Sequence, residues 1–278
     1  MTRIAVTGAG GFLGQALITE TGKRGIDAVP ISLPRTSQVL ERAFHKELLE
    51  KIRPDVVIHC AAVLRPNNDK DFAVNVRLPV VMAEALSEVR PTAAFVHVSS
   101  LNVLQESRLD AYTQSKRQAE DALTGLDVAI VRPGLIWSWI NKGGAAQISA
   151  YLKRPLPFHP VPFPGPRFRP LLIDVFASAV VDLAVGGDIG GKRINACGDS
   201  EWTLWDLISA LSKMHGGRPV PLPTGLIEHM LPKPVLGRLP IPLRSFAAVD
   251  DGILQGRDGD QALILPFTGP PDESAAQN

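Results

Sequence analysis

The chain has 278 residues, enough for one large domain or a domain with an added lobe. A hydrophobic fraction of 45% with 21% charged residues is that of an ordinary globular protein, and a net charge of +1 excludes a global field suited to nucleic acid or an anionic membrane. Two cysteines, Cys60 and Cys197, are too few for a disulfide framework and fit a reducing, cytoplasmic setting.

A first strand is predicted from about Arg3 to Thr7, and on that placement no signal or transit segment is expected. No apolar run reaches the roughly 20 residues needed to span a bilayer. Phe12–Arg24 has helical spacing, Ala28–Ile31 reads as a second strand, and Val39–Ile52 places its apolar residues on one helical face. Asp55–Ala61 is almost continuously apolar, as a strand buried on both faces should be. Helix at Phe72–Val89, strand at Ala93–Ser99, helix at Ala111–Leu123 and strand at Val128–Arg132 continue the alternation. Repeated β-α units predict an α/β fold, a doubly wound parallel sheet with its ligand crevice beyond the carboxyl ends of the strands.

After Pro133 the texture changes. Residues 154–170 are too rich in proline for a long regular element. Helix is predicted at Ile173–Val185, strand at Lys192–Ala196, and a helix at Thr203–His215 with Thr203 as its N-cap and Gly216 as its stop. The expected organisation is a dinucleotide-binding domain over residues 1–153, rejoined by elements from 173–215. A smaller substrate lobe would be formed by 154–172 and 216–267, with a disordered tail at 268–278.

The loop Thr7-Gly-Ala-Gly-Gly-Phe-Leu-Gly14 follows a predicted strand and opens a predicted helix, the context a dinucleotide loop requires. Gly8 would make the tight turn, Gly11 would admit a pyrophosphate, and Gly14 would allow close helix–strand packing; Gly10, Phe12 and Leu13 complete the cradle. The exposed N–H groups at the helix start would hold the diphosphate. At the end of the second strand stands Ser32, with Arg35 close behind and no acid nearby. That favours NADP(H), whose 2′-phosphate an arginine accommodates, although NAD(H) also fits.

Tyr112 and Lys116 share one helical face at i and i+4. An ammonium beside the phenol, together with a positive nicotinamide ring, would favour the phenolate and bring its pKa of about 10 toward neutrality. Ser100, at the carboxyl end of the fourth strand, would hydrogen-bond the substrate oxygen while Tyr112 passes a proton. No metal-ligand spacing occurs among the six scattered histidines, and no basic-aromatic pattern suggests nucleic acid.

Taken in order, these segments resemble the extended short-chain dehydrogenase/reductase family, which includes nucleotide-sugar epimerases, dehydratases and reductases. The resemblance covers about residues 3–215. Residues 7–14 resemble its TGxxGFxG loop, and Asp55–Ala62 resembles the strand and turn beside adenine and ribose, which implicates Ala61, Ala62 and Val63. Asn75 resembles the asparagine opening the family's interface helix. His97–Val103, with Ser99, Ser100 and Asn102, and Tyr112–Glu120 resemble its catalytic-serine and YxxSKxxxE segments. Arg132-Pro133-Gly134 is like the element lining the nicotinamide side.

By the same resemblance Arg167, or nearby Arg169, would meet a nucleotide diphosphate, and the helices at Asn75–Leu86 and Ala111–Leu123 would form a homodimer seam. One departure is Ile136-Trp137-Ser138-Trp139 in place of VYGP. Its tryptophans would stack a sugar or an aromatic substrate, or pack beneath the lobe, which is commoner for large aromatics. The expected function is an NAD(P)-dependent reductase, dehydrogenase or epimerase acting on a small-molecule hydroxyl or carbonyl. The alternative is a cofactor-binding sensor or assembly protein of the same fold.

Overall fold

In the structure, a computed structural model, the described residues are 2–34, 36–140, 143–163, 167–187, 189–223 and 257–270. They divide into two compact units. One holds the described residues of 1–133, 174–196 and 252–263, and the other those of 134–173, 197–251 and 264–278.

The first unit is built on a parallel sheet. Strands β1 (Arg3–Thr7), β2 (Asp27–Ile31), β3 (Val56–His59), β4 (Ala94–Val98) and β5 (Val128–Pro133) alternate with helices α1 (Phe12–Lys23), α2 (Arg42–Ile52), α3 (Asp69–Val89) and α4 (Ala111–Ala122). Every residue of β3 and β5 is buried, which explains the unbroken apolar runs there. In space β2 and β3 flank β1, followed by β4 and β5. The chain therefore reverses direction across the sheet between β1 and β3. Such a switch point splays the two outgoing loops apart and opens a crevice beyond the strand ends.

Helices cover both faces. Leu49 of α2, Met82 and Leu86 of α3 and Leu123 just after α4 pack on Val57, Phe95 and Ile130. On the other face α1 meets α6 (Ile173–Val185), where the Arg24 guanidinium bonds Asp182 and the Ser178 hydroxyl.

Two further strands extend the sheet beyond β5: β10 (Arg193–Gly198), parallel to β5, and at the edge β13 (Gln261–Leu265). The second was read from sequence as part of the lobe. It is an edge strand because the turn at Arg257–Asp260 delivers five residues alongside β10.

The second unit has its own core, in which Trp137, Trp139, Phe168 and Phe267 pack with Ile148 and Leu152 of α5 (Gly143–Leu152) and Leu207 and Leu211 of α7 (Leu204–His215). The proline-rich segments supply only short pairs: β6 (Ile136–Trp137) with β9 (Leu171–Leu172), β8 (Arg167–Phe168) with β11 (Trp202–Thr203), and β7 (His159–Phe163) with β12 (Pro219–Pro223). Thr203 caps α7 in a reciprocal box with Asp206, and Gly216, at φ 77°, follows its last turn. Residues 173–215, expected to rejoin the first domain as a block, are shared: α6 and most of β10 lie in the first unit and α7 in the second. Among the described residues no helix is long and apolar enough to cross a membrane.

Candidate active site

The loop after β1 owes its course to glycine at two points. Gly8 has φ +68°, and a Cβ there would lie 2.8 Å from the Ala61 backbone nitrogen, so the loops leaving β1 and β3 touch at this residue. Gly11 donates its N–H to the Gly8 carbonyl at 2.8 Å and caps α1 with no side-chain partner. No acid stands in the first turn of α1, so its outward N–H groups present an uncompensated positive end. A Cβ on Gly10 would meet nothing within 4 Å, leaving its face of the loop open. Gly14 allows a close approach, as expected, but to the loop's own backbone at Gly8 and Ala9.

Beside this loop lies a cavity of about 670 Å³ lined by Gly8, Ala9, Gly10, Gln15, Ile18, Thr19, Pro30, Ile31, Ser32, Leu33 and Ala61. Four of the sequence candidates, Gly8, Gly10, Ser32 and Ala61, are thus on one wall system, and among the described residues no carboxylate lines it. Gln15, Ile18 and Thr19 were missed in the sequence, yet their i, i+3, i+4 spacing on α1 is the signal for one helix face. Arg35 lies outside the described residues.

The Asn75 side chain is bonded within the protein. Its side-chain oxygen accepts from Val63 N at 2.7 Å, and its amide donates to the Val63 carbonyl at 2.9 Å and to Ser115 Oγ at 3.0 Å. It therefore fixes the loop after β3 against α3 and α4. Thr7 does similar work from below: its hydroxyl accepts from Ala61 N at 3.3 Å and bonds His59 Nδ1 at 2.9 Å.

Asp110 caps α4 by accepting from both the backbone N and the hydroxyl of Thr113. Tyr112 follows two residues later, and Lys116 lies one turn on. The Lys116 ammonium donates to the Val98 carbonyl at 2.8 Å, tying α4 to the end of β4, where Ser99 and Ser100 begin the outgoing loop. Ser100 Oγ accepts from Asn102 N at 3.3 Å, and the Asn102 side chain accepts from Arg108 at 3.2 Å. Ser99 donates its N–H to the Val131 carbonyl, while its buried hydroxyl has no partner.

Burial pushes Lys116 down to about 8. Tyr112 goes up to about 12, through burial first and the Asp110 carboxylate second. The lowering expected from the sequence invoked the positive nicotinamide ring as well as the ammonium, and so concerns the cofactor-bound state. Both causes disfavour the phenolate, so the free protein keeps Tyr112 protonated at neutral pH.

His59 and His97 stack beneath this end of the sheet, ring centroids 5.5 Å apart. Burial holds His59 down to about 3 and His97 well below its ordinary value. Both stay neutral in the folded state but take up protons when unfolded. Their contribution is therefore full above about pH 6.5 and is lost as pH falls toward the folded values. Unfolding free energy should drop by about 3 kcal/mol between roughly pH 7.5 and 5.5, measured by urea titration. A flat profile would contradict the buried, neutral assignment.

The remaining candidates are spread out. Pro133 ends β5 and is buried, and Gly134 follows it. Trp137, 1% exposed, packs edge-to-face on Trp139 inside the second unit. Arg167 is exposed and paired with Glu201 at 3.0 Å, and Arg169 is half-buried. Among the described residues no group of three His, Cys, Asp or Glu could hold a metal ion.

Comparison with known proteins places this geometry. Residues 1–131 match the family described as the RmlD substrate binding domain. A UDP-2-acetamido-2,6-beta-L-arabino-hexul-4-ose reductase from Pseudomonas aeruginosa is 32% identical over 145 residues, 51% of this chain and 36% of that protein. The match thus spans little more than a third of that relative's length.

Among solved structures, a dTDP-4-dehydrorhamnose reductase from Clostridium acetobutylicum superposes with TM-score 0.70 at 17% identity, covering 93% of this chain and 94% of that one. The enzyme of the same name from Bacillus anthracis, in complex with NADP, gives 0.68 at 19% identity over 81% and 86%. A Thermus thermophilus UDP-glucose 4-epimerase in complex with NAD gives 0.63 at 18% identity over 80% and 86%. At such identities these structures establish the fold, that of a doubly wound α/β domain.

Proposed function

From the match of residues 1–131 to the family described as the RmlD substrate binding domain and from the shared doubly wound fold, we propose that this protein is a nicotinamide-dependent reductase acting on a ketone carbon of a nucleotide-linked sugar. NADPH is the favoured cofactor. The reductases among its relatives act, by their names, on hexul-4-ose and 4-dehydrorhamnose nucleotides, and the chemistry assigned here follows that class.

The observation that carries the reading is a protonated Tyr112 one helical turn from a buried Lys116 that is anchored on Val98. Reduction of a ketone needs a proton donor beside the carbonyl oxygen, and a phenol held above neutrality keeps its proton until charge develops there. Ser100 would donate its hydroxyl hydrogen to the same oxygen, and Lys116 would stabilise the phenolate that Tyr112 leaves behind.

The open face at Gly10 and the bare N–H groups of α1 fit a diphosphate. Ser32, in a cavity without carboxylates, fits the adenosine end of a phosphorylated dinucleotide. Bound there, the cofactor supplies the hydride; the residues named hold it, orient the ketone and deliver the proton. Asn75 serves by fixing the Val63 loop rather than by touching the cofactor.

Fluorescence titration with NADPH and NADH tests the cofactor assignment. We expect NADPH to bind at least about tenfold more tightly, as one arginine–phosphate contact suggests. Equal affinity would overturn the Ser32/Arg35 argument. Cofactor that co-purifies and undergoes no net change during turnover would point instead to an epimerase.

A further inference from the structure

The first unit contains a buried charge cluster that the reaction above does not use. Glu120, one turn after Lys116 on α4, accepts from Arg132 Nε at 3.0 Å through each carboxylate oxygen and from Nη2 at 2.7 Å. The other end of the guanidinium donates to Asp260 at 2.6 Å and to the Asn195 side-chain oxygen at 3.2 Å. Asn195 in turn donates to Asp260 at 3.2 Å. Arg132 has no exposed surface, and the Asp260 carboxylate is equally dry.

Asp260 reaches this position through a tight turn. Its N–H donates to the Arg257 carbonyl at 2.9 Å, its carboxylate accepts from Arg257 N at 2.9 Å, and Gly259 takes φ +87° between them. The turn then runs into β13.

The charge balance is informative. One guanidinium faces two carboxylates, so the cluster carries an excess negative charge in a place where an unbalanced charge is costly. Two cations precede Glu120 on the same helix: Arg117, which donates to the Val103 and Gln105 carbonyls, and Lys116, which shares its face at i and i+4. Of the other groups that act on Lys116, His59 and His97 are held neutral, and burial pushes the Cys60 thiol up to about 12, so it stays protonated. The anion left facing Lys116 is Glu120, and behind it stands the Arg132–Asp260 pair.

We propose that Asp260 is a positioning residue for the proton-transfer pair: by holding Arg132 against Glu120 it braces α4 and sets how much of the Glu120 charge is left for Lys116 one turn away. The assignment rests on the reductase reading for its purpose, but not for its test. A segment more than 140 residues beyond Tyr112, reading as part of a separate lobe, is thereby built into the site.

The test is the titration of the Lys116 ammonium, followed by NMR in the full-length protein with labelled lysine and assigned with Lys116→Met. In Asp260→Asn the titration should move down by roughly half a pH unit, while Asp260→Glu should stay close to the parent. An unchanged titration in Asp260→Asn overturns the proposal, as does an equal shift in both variants, which would mark loosening and not charge. Should Asp260→Asn fail to fold, Asn195→Leu removes a donor to Asp260 and an acceptor from Arg132 while leaving all three charges in place. Amide exchange across α4 should then quicken with α1 unaffected, and unchanged exchange in α4 overturns the brace. Neither readout needs cofactor or substrate. A shifted Lys116 in a protein without reductase activity would therefore sink only the functional reading.

Discussion

Tyr112→Phe should lower turnover by about two orders of magnitude or more while NADPH affinity stays within about twofold. The ring remains, so packing at the start of α4 is preserved. What disappears is the hydroxyl, and with it the proton that burial and Asp110 keep on the phenol at neutral pH. Its neighbours are poor substitutes: Lys116 donates to the Val98 carbonyl, and Ser100, whose oxygen accepts from Asn102 N, offers the substrate only an aliphatic hydroxyl, a far weaker acid than a phenol. Stopped-flow measurement of nicotinamide absorbance separates the two quantities. Turnover equal to the parent would remove Tyr112 from the mechanism.

Gly14→Ala should be the most damaging single methyl group in the first unit. Its Cβ would overlap the Gly8 carbonyl oxygen and stand 2.7 Å from Ala9 Cα. Both neighbours are backbone, so no rotamer change relieves the clash and the loop itself must move. Overpacking of this kind costs about 1–3 kcal/mol or more, and here the displaced atoms form the wall of the cofactor cavity. We expect a lower melting temperature together with a loss of NADPH affinity of roughly tenfold or more. Gly10→Ala provides the contrast, because its Cβ would meet nothing within 4 Å of the protein. It should leave stability unchanged and weaken only binding. Equal stability losses in the two variants would show that the loop yields more readily than its contacts imply.

Much of the sheet was legible because its physics is local. Fully buried parallel strands read as apolar runs, glycines after β1 mark a turn that a side chain would block, and Thr203 with Asp206 spells a helix start. Asn75 was read among the cofactor-binding residues, without the neighbours that hold it. The bonds it makes to Val63 and Ser115 depend on how three elements pack, which no spacing along the chain encodes.

Tyr112 shows the same limit in electrostatics. The i, i+4 ammonium is visible in the sequence, whereas the burial that raises the phenol in the free protein is not. β13 escaped notice because it follows a long proline-rich stretch. Its signals, the Asp258-Gly259 turn and the run Gln261–Leu265, gain meaning only beside the Arg132–Glu120 pair they complete. Trp137 followed the commoner course for a large aromatic, packing in the second core.

The most direct measurement of the central claim is a single reaction: protein, NADPH and a nucleoside-diphosphate 4-keto sugar, followed by nicotinamide absorbance and product mass. The proposed chemistry requires NADPH to be consumed in equal amount with the ketone, giving an alcohol two hydrogens heavier, in the parent protein and not in Tyr112→Phe. NADPH bound with the ketone left intact, or consumption at equal rates in both proteins, would contradict it.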